Sequence, residues 1–257
     1  MRVRLSRPVR IENGQGPPRY PVKEALGSAR TLIFKGDRVM CSCCGLSFRH
    51  FLFSPYGSAR CPRCLSFERY RLLCRWLSDE TDFGRGRAVR ALDIAPTWAF
   101  QEFCRSFPLV DYLSVDIASP MAMRHMDIRG LDLPSGEFDW LFCYHVLEHV
   151  DDDEKALSEM FRVLKPGGTA VISVPIRCDV TVERSELTGQ EAEDILTYED
   201  HIRGYGRDFD SLLERAGFSV DVVPFVERFS EADVGRLGLD VTEDLYVSRK
   251  PAGHPAS

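Results

Sequence analysis

From Ala88 onward the chain alternates short apolar runs with longer segments whose apolar residues recur every three or four positions. AVRALDIA (residues 88–95), DYLSVD (111–116), FDWLFCY (138–144) and TAVISVPI (169–176) read as buried strands, and a weaker strand ends near MRHMD (123–127). AFQEFCRSF (99–107), DDEKALSEMFRVL (152–164) and FDSLLERAGF (209–218) carry a helical rhythm. SVDVVPF (219–225) and DLYVS (244–248) are the last two strand-like runs. This alternation predicts an α/β fold, a mostly parallel Rossmann-like sheet with helices on both faces. Ligands of such sheets sit at the carboxyl ends of the strands.

The first third reads differently. Cys41 and Cys44 form one C-x-x-C pair, Cys61 and Cys64 another, and sixteen residues separate the pairs. That is the spacing of a four-cysteine zinc site, closed to water and so structural. The segment between the pairs predicts a short hairpin. SFERYRLLCRWLSDE (66–80) then has the pattern of a helix joining this zinc ribbon to the larger unit. Ahead of the ribbon, Pro8, Pro17, Pro18 and Pro21 interrupt any amphipathic helix, which predicts a loosely ordered arm.

Charge divides along the same line. Residues 1–75 carry a net +11 and the remainder −17 within a chain whose net charge is −6. Arg49, Arg60, Arg63, Arg69 and Arg71 make the ribbon a candidate RNA-binding surface, while the acidic body argues against RNA. No apolar run is long enough to span a membrane. Nine cysteines without an export signal suit metal and buried thiols in a reducing, cytoplasmic setting.

Candidate chemistry lies at the expected strand ends. Asp93, Asp116 and Asp127 close the first three strands, and an acid ending the second strand is placed to accept hydrogen bonds from ribose hydroxyls. His145, just past the fourth strand, is the candidate base. After the fifth strand a polar insertion from Cys178 to Gly204 includes Asp200, His201 and Arg203, followed by Tyr205. His201 offers a second base, and Asp200, Arg203 and Tyr205 are candidate acceptor-binding residues.

The run LDIA, then SVD, then MDIRGLDLPSGEFDWLFCYHVLEHVDDDEKALSEMFRVLKPGGTAVISVP closely resembles the type 11 group of class I S-adenosylmethionine-dependent methyltransferases. CPRCLSFERYRLL and EDHIRGYGRDFDSLLERAGFSV resemble a subgroup that adds an amino-terminal cysteine ribbon. The resemblance implies a seven-stranded sheet with one antiparallel strand, here DLYVS. It also implies S-adenosylmethionine held by Asp93, Ala95, Pro96, Asp116, Ile117, Asp127, Ile128 and Tyr144. One departure stands out: Ala95, Thr97 and Ala99 occupy positions that are usually glycine in the loop after the first strand.

The domains expected are a basic arm (1–30), the zinc ribbon (31–66), a connecting helix (67–85), the methyltransferase domain (86–249) and a disordered tail (250–257). The expected activity is methyl transfer to a small or medium metabolite, a sugar or glycan intermediate among the candidates. The alternatives are an RNA methyltransferase and a catalytically inactive, zinc-dependent interaction protein.

Overall fold

The computed structural model describes residues 21–53, 58–196 and 198–253, so most of the expected arm and the end of the expected tail lie outside the described residues. The amino-terminal part contains α1 (Pro21–Ile33), β1 (Lys35–Met40), β2 (Ser47–Phe48), β3 (Leu52–Phe53), β4 (Ala59–Arg60) and α2 (Glu68–Glu80). The helix corrects the expectation of a loose arm for residues 21–30. Pro21 opens α1, where a missing N–H and a fixed φ cost nothing, so it starts a helix instead of breaking one.

The predicted single hairpin between the cysteine pairs is two pairings. β2 folds back on β1, ahead of the first pair, and β3 pairs with β4. The two C-x-x-C turns share one geometry: the amide of Gly45 bonds the Cys41 carbonyl and that of Leu65 bonds the Cys61 carbonyl. Both Gly45 (φ 71°) and Leu65 (φ 59°) are left-handed.

The larger unit follows as β5 (Val89–Ile94), α3 (Trp98–Arg105), β6 (Val110–Asp116), β7 (Arg124–His125), β8 (Phe138–Tyr144), α4 (Asp153–Val163) and β9 (Leu164–Ser173). The inserted segment forms β10 (Ile176–Cys178), β11 (Val182–Glu183), α5 (Gly189–Leu196) and β12 (Arg203–Gly206), and the chain ends with α6 (Phe209–Arg215), β13 (Ser219–Val223), α7 (Glu231–Leu237) and β14 (Leu245–Arg249). The main sheet runs β13-β14-β9-β8-β5-β6-β7. β14 lies antiparallel to both its neighbours, and the pairings from β9 through β7 are parallel. This is the seven-stranded arrangement that the resemblance implies. The 178–204 insertion is no open loop, because β10, β12 and β11 pair into a small sheet.

Period-two alternation along β8 divides the core. Trp140, Phe142 and Tyr144 pack with α2 and α3, whereas Leu141 and Cys143 pack with Ala156, Leu157 and Met160 of α4. The ribbon cysteines belong to the first of these clusters, so the ribbon is docked on the sheet unit. Arg71 is the fastener. Fully buried, it donates to the carbonyls of Ala59 (2.9 Å) and Ser66 (2.7 Å) in the ribbon and of Leu237 (2.9 Å) and Gly238 beyond it. Its guanidinium carbon lies 4.2 Å from the Phe51 ring centre. A cation set against the last carbonyls of α7 satisfies acceptors that the helix cannot, in the favourable direction of its dipole. A phosphate-contacting role for Arg71 is thereby overturned.

Candidate functional site

The carboxyl ends of β5, β6 and β8 carry the features expected of a nucleoside site. After β5 the chain turns sharply through Ala95, which is left-handed (φ 53°) where the usual residue is glycine. Thr97 then caps α3, its hydroxyl accepting from the Phe100 amide. Pro96 is buried in the turn. At the end of β6, Asp116 Oδ1 accepts from the amides of Ala118 (2.8 Å) and Ser119 (2.7 Å), and the neighbouring Ile117 is 70% exposed.

Asp93 lies deeper than expected. It is buried and accepts a hydrogen bond from the Tyr112 hydroxyl, and burial pushes its carboxyl up to about 7. Asp127 is salt-bridged to Arg129 (2.6 Å), which holds it down at about 2, and Ile128 is buried beside it.

At the end of β8, Tyr144 is buried with its hydroxyl unpartnered, and its ring stacks on Tyr70 of α2 at 5.3 Å. His145 follows in a left-handed conformation (φ 55°), an uncommon state for a residue with a Cβ. Its Nε2 is buried without a partner, and burial, followed by the Arg69 charge, holds the imidazole neutral down to about 2. Ser173, ending β9, donates to Glu243 (2.7 Å), whose carboxyl burial raises to about 7.

Around His145 the structure gathers Glu148, His149, Asp200 and His201. His145 Nδ1 lies 3.5 Å from Glu148 Oε1, and the rings of His149 and His201 meet edge to face at 4.8 Å. Burial raises the Glu148 carboxyl to about 8. The Ile202 amide bonds the Glu148 carbonyl (2.9 Å), tying the insertion to the end of β8.

Arg203 and Tyr205 are engaged elsewhere. Arg203 pairs with Asp153 (2.6 Å) and Glu183 (2.5 Å), and the Tyr205 hydroxyl donates to Asp153 (2.7 Å), so both side chains are committed inside the protein. They belong to a framework joining the insertion to α4. A cleft of about 380 Å³ lined by Asp151, Asp153, Glu183, Arg203 and Arg215 is separate from the strand-end residues Asp93, Asp116, Tyr144 and His145.

Tyr70 and Glu243 are site residues that no motif marks, and Arg69, expected on an RNA-binding surface, belongs with them at the strand ends. The two α2 residues fall inside a pattern that marks only a connecting helix. Yet the Arg69 charge acts on Tyr144, His145, Glu148 and Glu243 together. Arg63, from the second cysteine turn, stacks over Trp98 at the start of α3 (5.3 Å), and Tyr70 shares a side-chain hydrogen bond with Thr97. The ribbon and its helix thus press on the loop after β5.

The four ribbon sulfurs lie within 4.8 Å of one another, with Cys41 to Cys64 at 3.6 Å and Cys44 to Cys61 at 3.7 Å. A tetrahedral ion with Zn–S bonds of about 2.3 Å sets its sulfurs about 3.8 Å apart, so these residues fit zinc. Cys43 is not one of the four and lies between Cys41 and Cys74, in hydrogen-bond contact with both.

Residues 74–172 match the methyltransferase domain family of type 11. The probable S-adenosylmethionine-dependent methyltransferase of Mycolicibacterium smegmatis is 33% identical over 100 residues, 38% of this chain and 35% of that protein. The chain spans about a third of the length of the first curated relatives it matches. In fold it is similar to a SAM-dependent methyltransferase from Archaeoglobus fulgidus (TM-score 0.51, 20% identity, 71% of this chain and 92% of that one). It is likewise similar to the [4+2]-cyclase SpnF (TM-score 0.50, 16% identity, 90% and 96%). The sequence likenesses support a class I S-adenosylmethionine-dependent methyltransferase domain, and the structural ones its fold.

Proposed function

We propose that the chain is an S-adenosylmethionine-dependent methyltransferase acting on a small or medium metabolite, such as a sugar or glycan intermediate, with a structural zinc ion in its ribbon. The observation that carries this reading is the end of β6. There Asp116 has Oδ2 outside its turn bonds to meet a ribose hydroxyl, and Ile117 presents an exposed apolar face to a base. Bound cofactor supplies a methyl group to a nucleophile attacking in line, and the electrons of the broken carbon–sulfur bond stay on sulfur.

The chain's own residues position the acceptor and keep water out. The stacked pair Tyr70 and Tyr144 forms an apolar wall, with the Tyr144 hydroxyl free to donate. The unpartnered Nε2 of neutral His145 accepts a hydrogen bond from the acceptor. Arg69 supplies the positive charge for a carboxylate or phosphate on either ligand.

A small acceptor is favoured over RNA by the fate of the ribbon arginines. Of the five, only Arg49 is exposed; Arg60 and Arg69 lie against Phe67, Arg63 against Trp98, and Arg71 is buried. The SpnF likeness is the specific reason to test for turnover at all, because a fold does not fix a reaction. With methyl-labelled S-adenosylmethionine and a cell extract, label should enter low-molecular-mass, ribonuclease-resistant material. Label in ribonuclease-sensitive material would overturn the acceptor class, and label in no product would overturn turnover.

A further inference from the structure

We propose that Glu148, His149 and His201 form a second, open metal site that holds a divalent transition cation beside His145. One ligand atom from each of the three lies within 4.8 Å of those of the other two. An ion with bonds of about 2.1 Å sets its donors about 3.0–3.4 Å apart, so the three would draw in around it.

The strongest sign that something is held there is Glu148. Its side chain is 1% exposed, yet both carboxylate oxygens lack a hydrogen-bond partner. A buried carboxyl group with neither oxygen hydrogen-bonded is costly, and a cation is the partner that its two histidine neighbours invite.

The histidines are prepared in the manner of metal ligands, which donate one ring N–H outward and keep the other nitrogen bare. His149 Nδ1 lies 3.3 Å from both the carboxylate and the carbonyl oxygen of Asp200. Those groups accept only, and an Nδ1–H given to them leaves Nε2 as the nitrogen to meet a cation. A ring nitrogen of His201 is likewise hydrogen-bonded to the Leu196 carbonyl. Two hydrogen bonds fix the segment that delivers His201, Ile202 N–H to the Glu148 carbonyl (2.9 Å) and Arg184 to the His201 carbonyl (3.0 Å).

Two imidazoles and one carboxylate suit borderline cations such as zinc, iron, cobalt or manganese. Unlike the ribbon, with its four thiolates, this trio leaves coordination positions open. An acceptor with oxygen donors, a hydroxyl or a pair of adjacent hydroxyls, is the class that would complete them. That last step rests on the methyltransferase reading; the metal site does not.

The test uses Mn2+ as probe, because the soft ribbon thiolates do not select it and its free and bound forms are distinguished by electron paramagnetic resonance. Full-length protein should bind about one Mn2+ per chain. Glu148→Gln, nearly isosteric, and His201→Ala should each weaken binding at least tenfold, with folding verified by near-ultraviolet circular dichroism. No Mn2+ bound by the wild type, or equal binding by folded Glu148→Gln, would overturn the site. Calorimetry of S-adenosylmethionine on the same preparations separates the two readings. Cofactor binding without Mn2+ sinks the metal site alone, and Mn2+ binding without cofactor supports it while sinking the methyltransferase reading.

Discussion

Ala95 takes a left-handed conformation that costs an L-residue roughly 1–2 kcal/mol, a cost that glycine at this position escapes. Because glycine also enlarges the unfolded ensemble, Ala95→Gly should gain only about 0.5 kcal/mol, read from the midpoint of urea unfolding. A loss above about 1 kcal/mol would mean that the Cβ is packed and that the loop depends on it. Two residues back, Asp93 makes a pH prediction. Its folded carboxyl is raised to about 7 by burial, against an unfolded value near 4. Such a group contributes stability that is complete below about pH 4 and is lost as pH rises toward 7. Over that window the wild type should lose on the order of 3 kcal/mol relative to Asp93→Asn, whose amide oxygen still accepts from Tyr112. Parallel unfolding curves for the two proteins across pH 4–7 would contradict the buried placement of Asp93.

At the scale of elements, the ribbon is a brace for the loop after β5. Arg71 bridges it to the end of α7, and Arg63, Tyr70 and Thr97 connect it to the start of α3. Arg71→Met leaves up to four buried carbonyls without their donor, so it should destabilise the protein by about 3 kcal/mol or more in denaturant unfolding. A change below about 1 kcal/mol would show that the ribbon is not fastened there. With zinc in the ribbon as proposed, stripping it with a chelator should also lower S-adenosylmethionine affinity at least threefold, because the wall at Tyr70 and the loop at Thr97 lose support. Affinity unchanged in protein shown by elemental analysis to be metal-free would separate the two units. The linking pattern at 66–80 was legible as a helix, but nothing in its spacing indicates that Arg69 and Tyr70 reach the strand ends. That contact depends on how the ribbon docks, a tertiary fact.

For the whole molecule, the sheet was legible because its strands are long apolar runs and its helices amphipathic, two periods that a sequence displays directly. The antiparallel position of β14 came from family likeness. The acids closing β5 and β6 were legible from position alone, whereas their environments were not: Asp93 faces inward to Tyr112, while Asp116 and the exposed Ile117 remain at the strand end. Arg203 and Tyr205 read as acceptor ligands because they follow a polar insertion, yet their partners Asp153 and Glu183 are distant in sequence and draw them into the framework. Cofactor binding at the end of β6 is tested most directly by calorimetric titration of S-adenosylmethionine into wild type and Asp116→Asn. Asp116→Asn keeps an oxygen for the Ala118 and Ser119 amides while removing the charge that meets the ribose. The wild type should show one site per chain, and the variant should bind more weakly by about 2 kcal/mol, roughly thirtyfold. No heat of binding in the wild type, or equal affinity in the two proteins, would contradict it.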